Sequence, residues 1–233
     1  MRPLACLVLG GAAALGAAAC RPAQQAGTSP ARVTHAFAWR CDPRPGVIRG
    51  DLARAQRSAR ELLDHCTVRN APTAVASQVT DVASLARSIA EAPDLRTAAL
   101  HTARLARACG TCHQATSTSL SLAVVTTPEP GAGEVSMQMR RHVWASDRMW
   151  EGLIGPSDPN WSAGAAVLRD PAPYTAQATR HAVAPQTVVR IADDLRDLGA
   201  RAGTVAVTER EHVYGEFLAG CAGCHTLVGG VGF

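Results

Sequence analysis

The chain has 233 residues, which is enough for one or two domains that each bury a modest core. All 23 basic residues are arginine, and no run of them is interleaved with aromatic side chains, so the composition speaks against nucleic-acid binding. Residues 21–125 hold 13 arginines and 7 acids, a net charge of +6, whereas residues 126–233 hold 9 arginines and 12 acids, a net charge of −3; this asymmetry is either a compositional bias on two solvated surfaces or a means of orienting a charged partner.

The first segment has the pattern of an export signal. Arg2 gives a charged start, residues 4–19 are rich in Ala and Leu, and Ala17-Ala18-Ala19 offers a small-residue cleavage site. For a membrane span the segment is short, and glycines interrupt it. We therefore predict that residues 1–19 are a signal peptide and that the mature protein lies outside the reducing cytoplasm, where disulfides persist.

Cys20 follows the cleavage site directly and resembles the lipidated cysteine of bacterial lipoproteins. Ala17 departs from that pattern, since leucine is usual there, and plain cleavage is the alternative. Residues 20–32 are polar and are predicted to be a flexible tether. Arg21, standing where Asp would retain a lipoprotein at the inner membrane, resembles an outer-membrane sorting pattern. We therefore expect a periplasmic or cell-envelope protein that lipid on Cys20 anchors to the outer membrane.

Residues 33–125 are predicted to form a first helical module. Asp42-Pro43-Arg44-Pro45 is expected to end a short opening helix near His35, and Pro72 and Pro93 bound the third helix. Apolar residues recur at intervals of three and four in the later segments, which is typical of amphipathic helices. These stripes are Leu52, Ala55, Ala59, Leu62 and Leu63; then Val75, Val79, Val82, Leu85, Ala86 and Ile89; then Leu100, Leu105 and Ala108.

Residues 126–133 are rich in Pro and Gly and are predicted to link this module to a second one at residues 134–233. No segment shows a strand pattern of useful length. Four helices per module with short loops predict an all-α fold of two tandem up-down-up-down four-helix bundles. The stripes of the second module are Val188, Ile191, Ala192, Leu195 and Leu198, and then Val213, Tyr214, Phe217 and Leu218.

The last helix of each module runs into the same short motif. Cys109-Gly110-Thr111-Cys112-His113 and Cys221-Ala222-Gly223-Cys224-His225 both read C-x-x-C-H, the pattern of covalent c-type haem attachment. In that chemistry both cysteines bond the haem and the histidine is an axial ligand of iron. The sequence therefore predicts two covalently attached haem c groups, held by Cys109, Cys112, Cys221 and Cys224, with His113 and His225 as proximal ligands. A four-thiol metal site or two disulfides are the alternatives, and they leave both histidines and the repeat without a role.

The remaining cysteines then divide without remainder. Cys6 leaves with the signal peptide and Cys20 takes lipid, so that Cys41 and Cys66 of the first module are left. We predict a disulfide between Cys41 and Cys66 in the oxidising compartment. Two free buried thiols are the alternative, because a sequence does not show whether the two Cα atoms lie close enough.

A C-x-x-C-H motif at the end of a fourth helix resembles the class II cytochromes c, the cytochrome c-prime group. Met139-Arg140-Arg141-His142 near the start of the second module is similar to exported haem lipoproteins of that group. The first module departs from the pattern, since its opening helix is short and has no Met. A class I arrangement, with a distal Met downstream, does not suit the second motif, because the eight residues after His225 contain neither Met nor His.

The distal ligands are left open by the sequence. In an up-down-up-down bundle the end of helix four lies beside the start of helix one, which carries His35 in the first module and Met139 and His142 in the second. Three outcomes follow. His35 and His142 lie opposite the two irons, or Met139 serves the second haem, or at least one haem has an open distal face.

We expect an exported diheme c-type cytochrome that transfers electrons between redox partners of the periplasm or membrane and is not an enzyme. No catalytic triad and no second cofactor motif accompanies the haem motifs. The alternative is a gas-binding or sensing haem protein for NO or CO, which requires an open distal face. Peroxidase activity requires an acid/base residue beside an open haem, and no pair of residues stands out. A subunit of a larger redox complex is a further alternative.

Overall fold

The computed structural model describes residues 41–66, 73–120, 122, 126–129, 135–170, 179, 180 and 182–229. The predicted signal peptide, Cys20, the tether and His35 lie outside these residues, as does the side chain of Cys66. The described chain is all-helical and contains no strand, as predicted. Its eight α-helices are α1 (Arg44–Ile48), α2 (Leu52–Glu61), α3 (Ala76–Ala90), α4 (Leu95–Ala115), α5 (Val135–Ile154), α6 (Asp158–Arg169), α7 (Pro185–Ala202) and α8 (Arg210–Leu227).

Local sequence fixes where several helices begin. The Asp94 carboxylate accepts a hydrogen bond from the Thr97 amide at 2.7 Å and caps α4, and Asp51 caps α2 in the same way. Pro43 and Pro45 begin helix α1; the short helix near His35 that this segment was predicted to end lies outside the described residues. Proline is favoured in a first turn, since its amide would be unsatisfied there and its φ is already helical.

A smaller hydrophobic cluster lies between α2, α3 and α4. Many of its members are alanines, so these helices approach one another closely. Helix α2 ends in a π-helical turn at Leu62–Cys66, and Cys41 takes part in a disulfide beside this cluster. The buried members are Cys41, Ala59, Leu62, Ala86, Ile89, Ala90 and Leu105.

Helices α5, α6, α7 and α8 pack antiparallel in chain order. Gly164 of α6 lies against the backbone of α5, and Gly199 of α7 lies against Leu168 of α6 so closely that a Cβ atom on either glycine would overlap its neighbour. Helix α8 returns to α5, where the Ser146 and Tyr214 hydroxyls are 2.9 Å apart in the core. This order places the end of α8 beside the start of α5.

The larger hydrophobic core is shared by residues from before and after the predicted linker. Its centre is the packing of α4 on α8, where Arg96 pairs with Glu216 at 2.7 Å and Arg107 with Glu211 at 3.3 Å. The later residue of α4 thus pairs with the earlier residue of α8, so the two helices run antiparallel. The two C-x-x-C-H motifs, at the last turns of α4 and α8, therefore lie at opposite ends of this helix pair.

Helix α1 is tied to α5 by a charge cluster. The Arg44 guanidinium is 2.7 Å from Asp42 and 3.0 Å from Asp147, and it stacks over the Trp150 ring at 4.5 Å from the ring centroid. Both Arg44 and Asp42 are largely buried, so each charge is stabilised by the other and little by water. None of the described helices is both long and apolar enough to cross a membrane.

Candidate haem sites

The second motif occupies the last turns of α8. Cys221 is buried, whereas Cys224 and His225 are half-buried, and both cysteines are free thiols. Burial, together with the neighbouring Cys224, raises the pKa of the Cys221 thiol to about 12. A protonated, buried thiol is compatible with a thioether bond to a haem.

His142 of α5 is buried beside this motif. Its pKa is lowered to about 4, chiefly by burial and then by the charges of Arg141 and His225, so the imidazole is neutral near pH 7. His225 contributes to this shift, so His142 lies near it, at the point where the end of α8 lies beside the start of α5. A neutral imidazole is the form that binds iron. A buried second histidine therefore lies near the predicted proximal histidine.

Gln138 and Met139 are the other residues of this end of α5. The buried Gln138 amide nitrogen lies 3.4 Å from His142 Nε2. Met139 is half-buried one turn before His142. Of the two predicted distal candidates of the second haem, His142 is therefore the more deeply buried, and it is the one whose charge interacts with His225.

The first motif occupies the last turns of α4. Cys109 packs against the smaller hydrophobic cluster, and Cys109 and Cys112 are free thiols. Burial, followed by the charge of Cys112, raises the pKa of Cys109 to about 12. His113 Nδ1 lies 2.7 Å from the Ile154 carbonyl oxygen at the end of α5. A carbonyl only accepts, so Nδ1 carries a hydrogen, and in the neutral form of the ring it is Nε2 that has the lone pair.

All four motif cysteines are free thiols in the structure, the form that haem attachment uses. Across the part of the chain that the structure describes, no group of three or more His, Cys, Asp or Glu side chains is placed to hold a metal ion. Cys41 is disulfide-bonded, and its predicted pairing with Cys66 stays a prediction because the side chain of Cys66 is outside the described residues.

One helix connects the two motifs. His142, beside the second motif, and Ile154, beside the first, both belong to α5 and are twelve residues apart. At 1.5 Å per residue this is about 18 Å along the helix axis. The two candidate sites therefore lie at the two ends of α5, and α5 contributes to both.

Sequence reasoning missed the Ile154 carbonyl, Gln138 and the role of Gly110. A Cβ atom on Gly110 would overlap the Leu153 carbonyl oxygen of α5, so this glycine lets the two helices meet. One signal was present in the sequence. The same position of the second motif is Ala222, so the motif itself does not require glycine.

The residues present fit a covalently attached haem at each motif, since each offers two free thiols and an adjacent imidazole, and at the first motif the imidazole is oriented with Nε2 free. No family model matches the chain, and no curated protein or solved structure is similar to it. The assignment of a function therefore depends on these geometries alone.

Proposed function

We propose that the protein is an exported diheme c-type cytochrome that carries electrons between redox proteins of the cell envelope. The observation that carries this proposal is the burial of His142 at the start of α5, near His225 of the second motif at the end of α8. A haem held by both imidazoles would have no open position on its iron, which favours electron transfer over binding of an external ligand.

Each residue then has a definite task. The cysteines of each motif would hold a haem by thioether bonds, His113 and His225 would each bind its iron, and His142 would supply a second ligand in the second site. A bound haem supplies an iron that alternates between ferric and ferrous states. Phe217 and Leu218 are fully buried one turn before Cys221. Such packing would keep the ligands in place in both oxidation states.

The finer architecture belongs to the same proposal. Residues 33–125 and 134–233 would each form a four-helix haem module with the likeness to the cytochrome c-prime group noted above. Contacts between consecutive helices within α1 to α4 and within α5 to α8 support this division, while the packing of α8 on α4 and on α1 joins the two halves into one shared core. The disulfide at Cys41 supports an oxidising compartment, in line with a signal peptide and lipid on Cys20.

The test begins with haem content. The mature protein is expected to carry two haems by the pyridine haemochrome assay and by intact mass. The Cys109→Ala/Cys112→Ala and Cys221→Ala/Cys224→Ala proteins are expected to carry one haem each. A mass equal to that of the polypeptide with or without lipid would contradict the proposal.

Carbon monoxide distinguishes the electron carrier from the gas-binding alternative. The reduced protein is expected to bind CO slowly or not at all at the second haem, because His142 holds the distal position. The Cys109→Ala/Cys112→Ala protein isolates that haem for the measurement. Rapid CO binding by this single-haem protein would favour the gas-binding function.

A further inference from the structure

The last turn of α5 meets the first haem motif through its backbone. The last four carbonyls of an α-helix have no amide partner within the helix, and the helix dipole makes this end negative. Ile154 is the final residue of α5, and its carbonyl oxygen accepts a 2.7 Å hydrogen bond from His113 Nδ1. The motif histidine therefore satisfies a helix end that lies beyond the predicted linker.

Gly110 makes this contact sterically possible. Gly110 is buried on α4, and a Cβ atom there would overlap the Leu153 carbonyl oxygen and lie 3.4 Å from Pro156 Cδ. Backbone atoms on both helices would have to separate to admit it. At the equivalent position of the second motif, Ala222 is buried without such a conflict, because a different set of helices surrounds it. The glycine therefore serves the contact with α5 and is not needed for haem attachment.

We propose that the Ile154 carbonyl, admitted by Gly110, is the positioning partner of the first haem's proximal histidine, so that the first site is completed by the helix that also carries His142. This inference rests on the proposed haem function of the motif. A hydrogen bond from Nδ1 to a carbonyl fixes the ring orientation and raises the basicity of the ligating nitrogen. A more basic ligand stabilises ferric iron and lowers the reduction potential of that haem.

The test compares Gly110→Ala with Gly223→Ala in the full-length holoprotein. Both variants add one methyl group to a variable position of a C-x-x-C-H motif. At Gly223 the new Cβ atom would have only an ordinary contact, 3.5 Å from Ile191 Cδ1. Midpoint potentials of both haems are measured by spectroelectrochemical titration. The first haem is assigned from the Cys221→Ala/Cys224→Ala protein, which keeps only that haem.

Gly110→Ala is expected to raise the midpoint potential of the first haem, or to lower its occupancy, and to leave the second haem unchanged. Gly223→Ala is expected to leave the first haem unchanged. Two haems with unaltered potentials in Gly110→Ala would overturn the inference and leave the haem function standing. Equal changes at both haems would also overturn it, since they indicate general destabilisation. A wild-type protein without haem would instead remove the proposed function itself.

A measurement on the unaltered protein covers the case in which Gly110→Ala does not fold. In the reduced protein saturated with CO, which is diamagnetic, the His113 Nδ1 proton is followed by NMR in water and in D2O. Protection from exchange by at least tenfold relative to free imidazole is expected if the Ile154 carbonyl holds it. Exchange as fast as in free imidazole would overturn the inference.

Discussion

The two haem motifs have the same pattern and meet different surroundings. In the first motif, His113 Nδ1 donates a hydrogen bond of 2.7 Å to the Ile154 carbonyl oxygen, which orients the imidazole ring. The second has another imidazole nearby, because the buried His142 lies near enough to His225 for that histidine to lower its pKa. Under the proposed haem function, the five-residue motif would fix the chemistry of attachment, and the helices around it would decide which iron ligands the protein positions.

Because of this difference, we expect the two haems to differ in reduction potential and in access to small ligands. A proximal histidine with a fixed carbonyl partner favours the ferric state, whereas a second imidazole ligand closes the distal face. Both controls come from α5, at positions about 18 Å apart along the helix. Electrons passing through the chain would meet two sites with different potentials and different access to small ligands.

The largest expected effect comes from replacing His142, the proposed second ligand of the second haem. His142→Ala should convert one of the two haems from a low-spin to a high-spin species that binds CO readily in its reduced form. The reason is that no imidazole remains opposite His225. Absorption and electron paramagnetic resonance spectra of the oxidised protein, with CO titration of the reduced protein, measure this change.

Met139→Ala is the matched control, because Met139 lies one turn away on the same helix. It is expected to leave the spin state of both haems as in the wild type. If Met139→Ala removed the low-spin signal and His142→Ala did not, the second haem would have a methionine ligand, and the comparison between the two sites would need to be redrawn.

Much of this arrangement could be predicted from the sequence. The helices around α3, α4, α7 and α8 follow from apolar residues at intervals of three and four, and both motifs were placed at the ends of the helices that carry them. The position of His142 near His225 followed from chain order, since consecutive antiparallel helices bring the end of the fourth beside the start of the first.

Other features depend on tertiary contacts that no local pattern encodes. The close packing of α4 on α8 joins residues more than a hundred positions apart, such as Arg96 and Glu216. Two separate bundles were expected, and the larger hydrophobic core is instead shared by residues from both. The Ile154 carbonyl is a backbone atom, so its role has no residue signature at all. Helix α1 was not predicted, because Pro43 and Pro45 were read only as helix breakers, whereas proline is also favoured in the first turn of a helix.

The next largest expected effect is a loss of stability when helix α1, which lies beside the second motif, loses its ion pairs. Helix α1 leads to Gly50, whose backbone lies close to the Ala222 carbonyl and Thr226 of α8, and Arg44 anchors this helix to Asp42 and Asp147. Arg44→Ala leaves the largely buried Asp42 carboxylate without its partner. We expect a loss of about 3 to 5 kcal/mol in the free energy of unfolding, measured by urea denaturation.

Arg196→Ala is the control for this loss of an ion pair. Arg196 and Asp193 are 47% and 54% exposed, so their pair contributes less than about 1 kcal/mol. Arg44→Ala is also expected to shift the potential of the second haem more than that of the first. Equal stabilities of the Arg44→Ala and Arg196→Ala proteins would show that α1 does not act as a fixed cover.

The smallest expected effect is a pH dependence at the end of α5 that holds His113. Glu151 lies one turn before Ile154, with its carboxylate 2.6 Å from Arg148 and 3.3 Å from the Asn160 amide. Burial raises the pKa of Glu151 to about 7 and outweighs the attraction of Arg148, which lowers it. The folded state therefore binds a proton between about pH 4.5 and 7 that the unfolded chain has already released. Stability from this group is complete at low pH and is lost as the pH rises through 7, by at most about 3 kcal/mol.

Glu151→Gln removes this titration, because the amide stays neutral at every pH. Urea unfolding at pH 5, 6, 7 and 8 is expected to give a flatter pH profile for Glu151→Gln than for the wild type, with the variant gaining stability at pH 8. Glu216→Gln, at the α4–α8 ion pair, should keep the slope of the wild type. In the holoprotein, the new negative charge near the first motif should also lower the potential of the first haem more than that of the second between pH 6 and 8. If the free energy of unfolding depends on pH in Glu151→Gln as it does in the wild type, Glu151 does not titrate in this range. The first site would then differ from the second only through the Ile154 carbonyl.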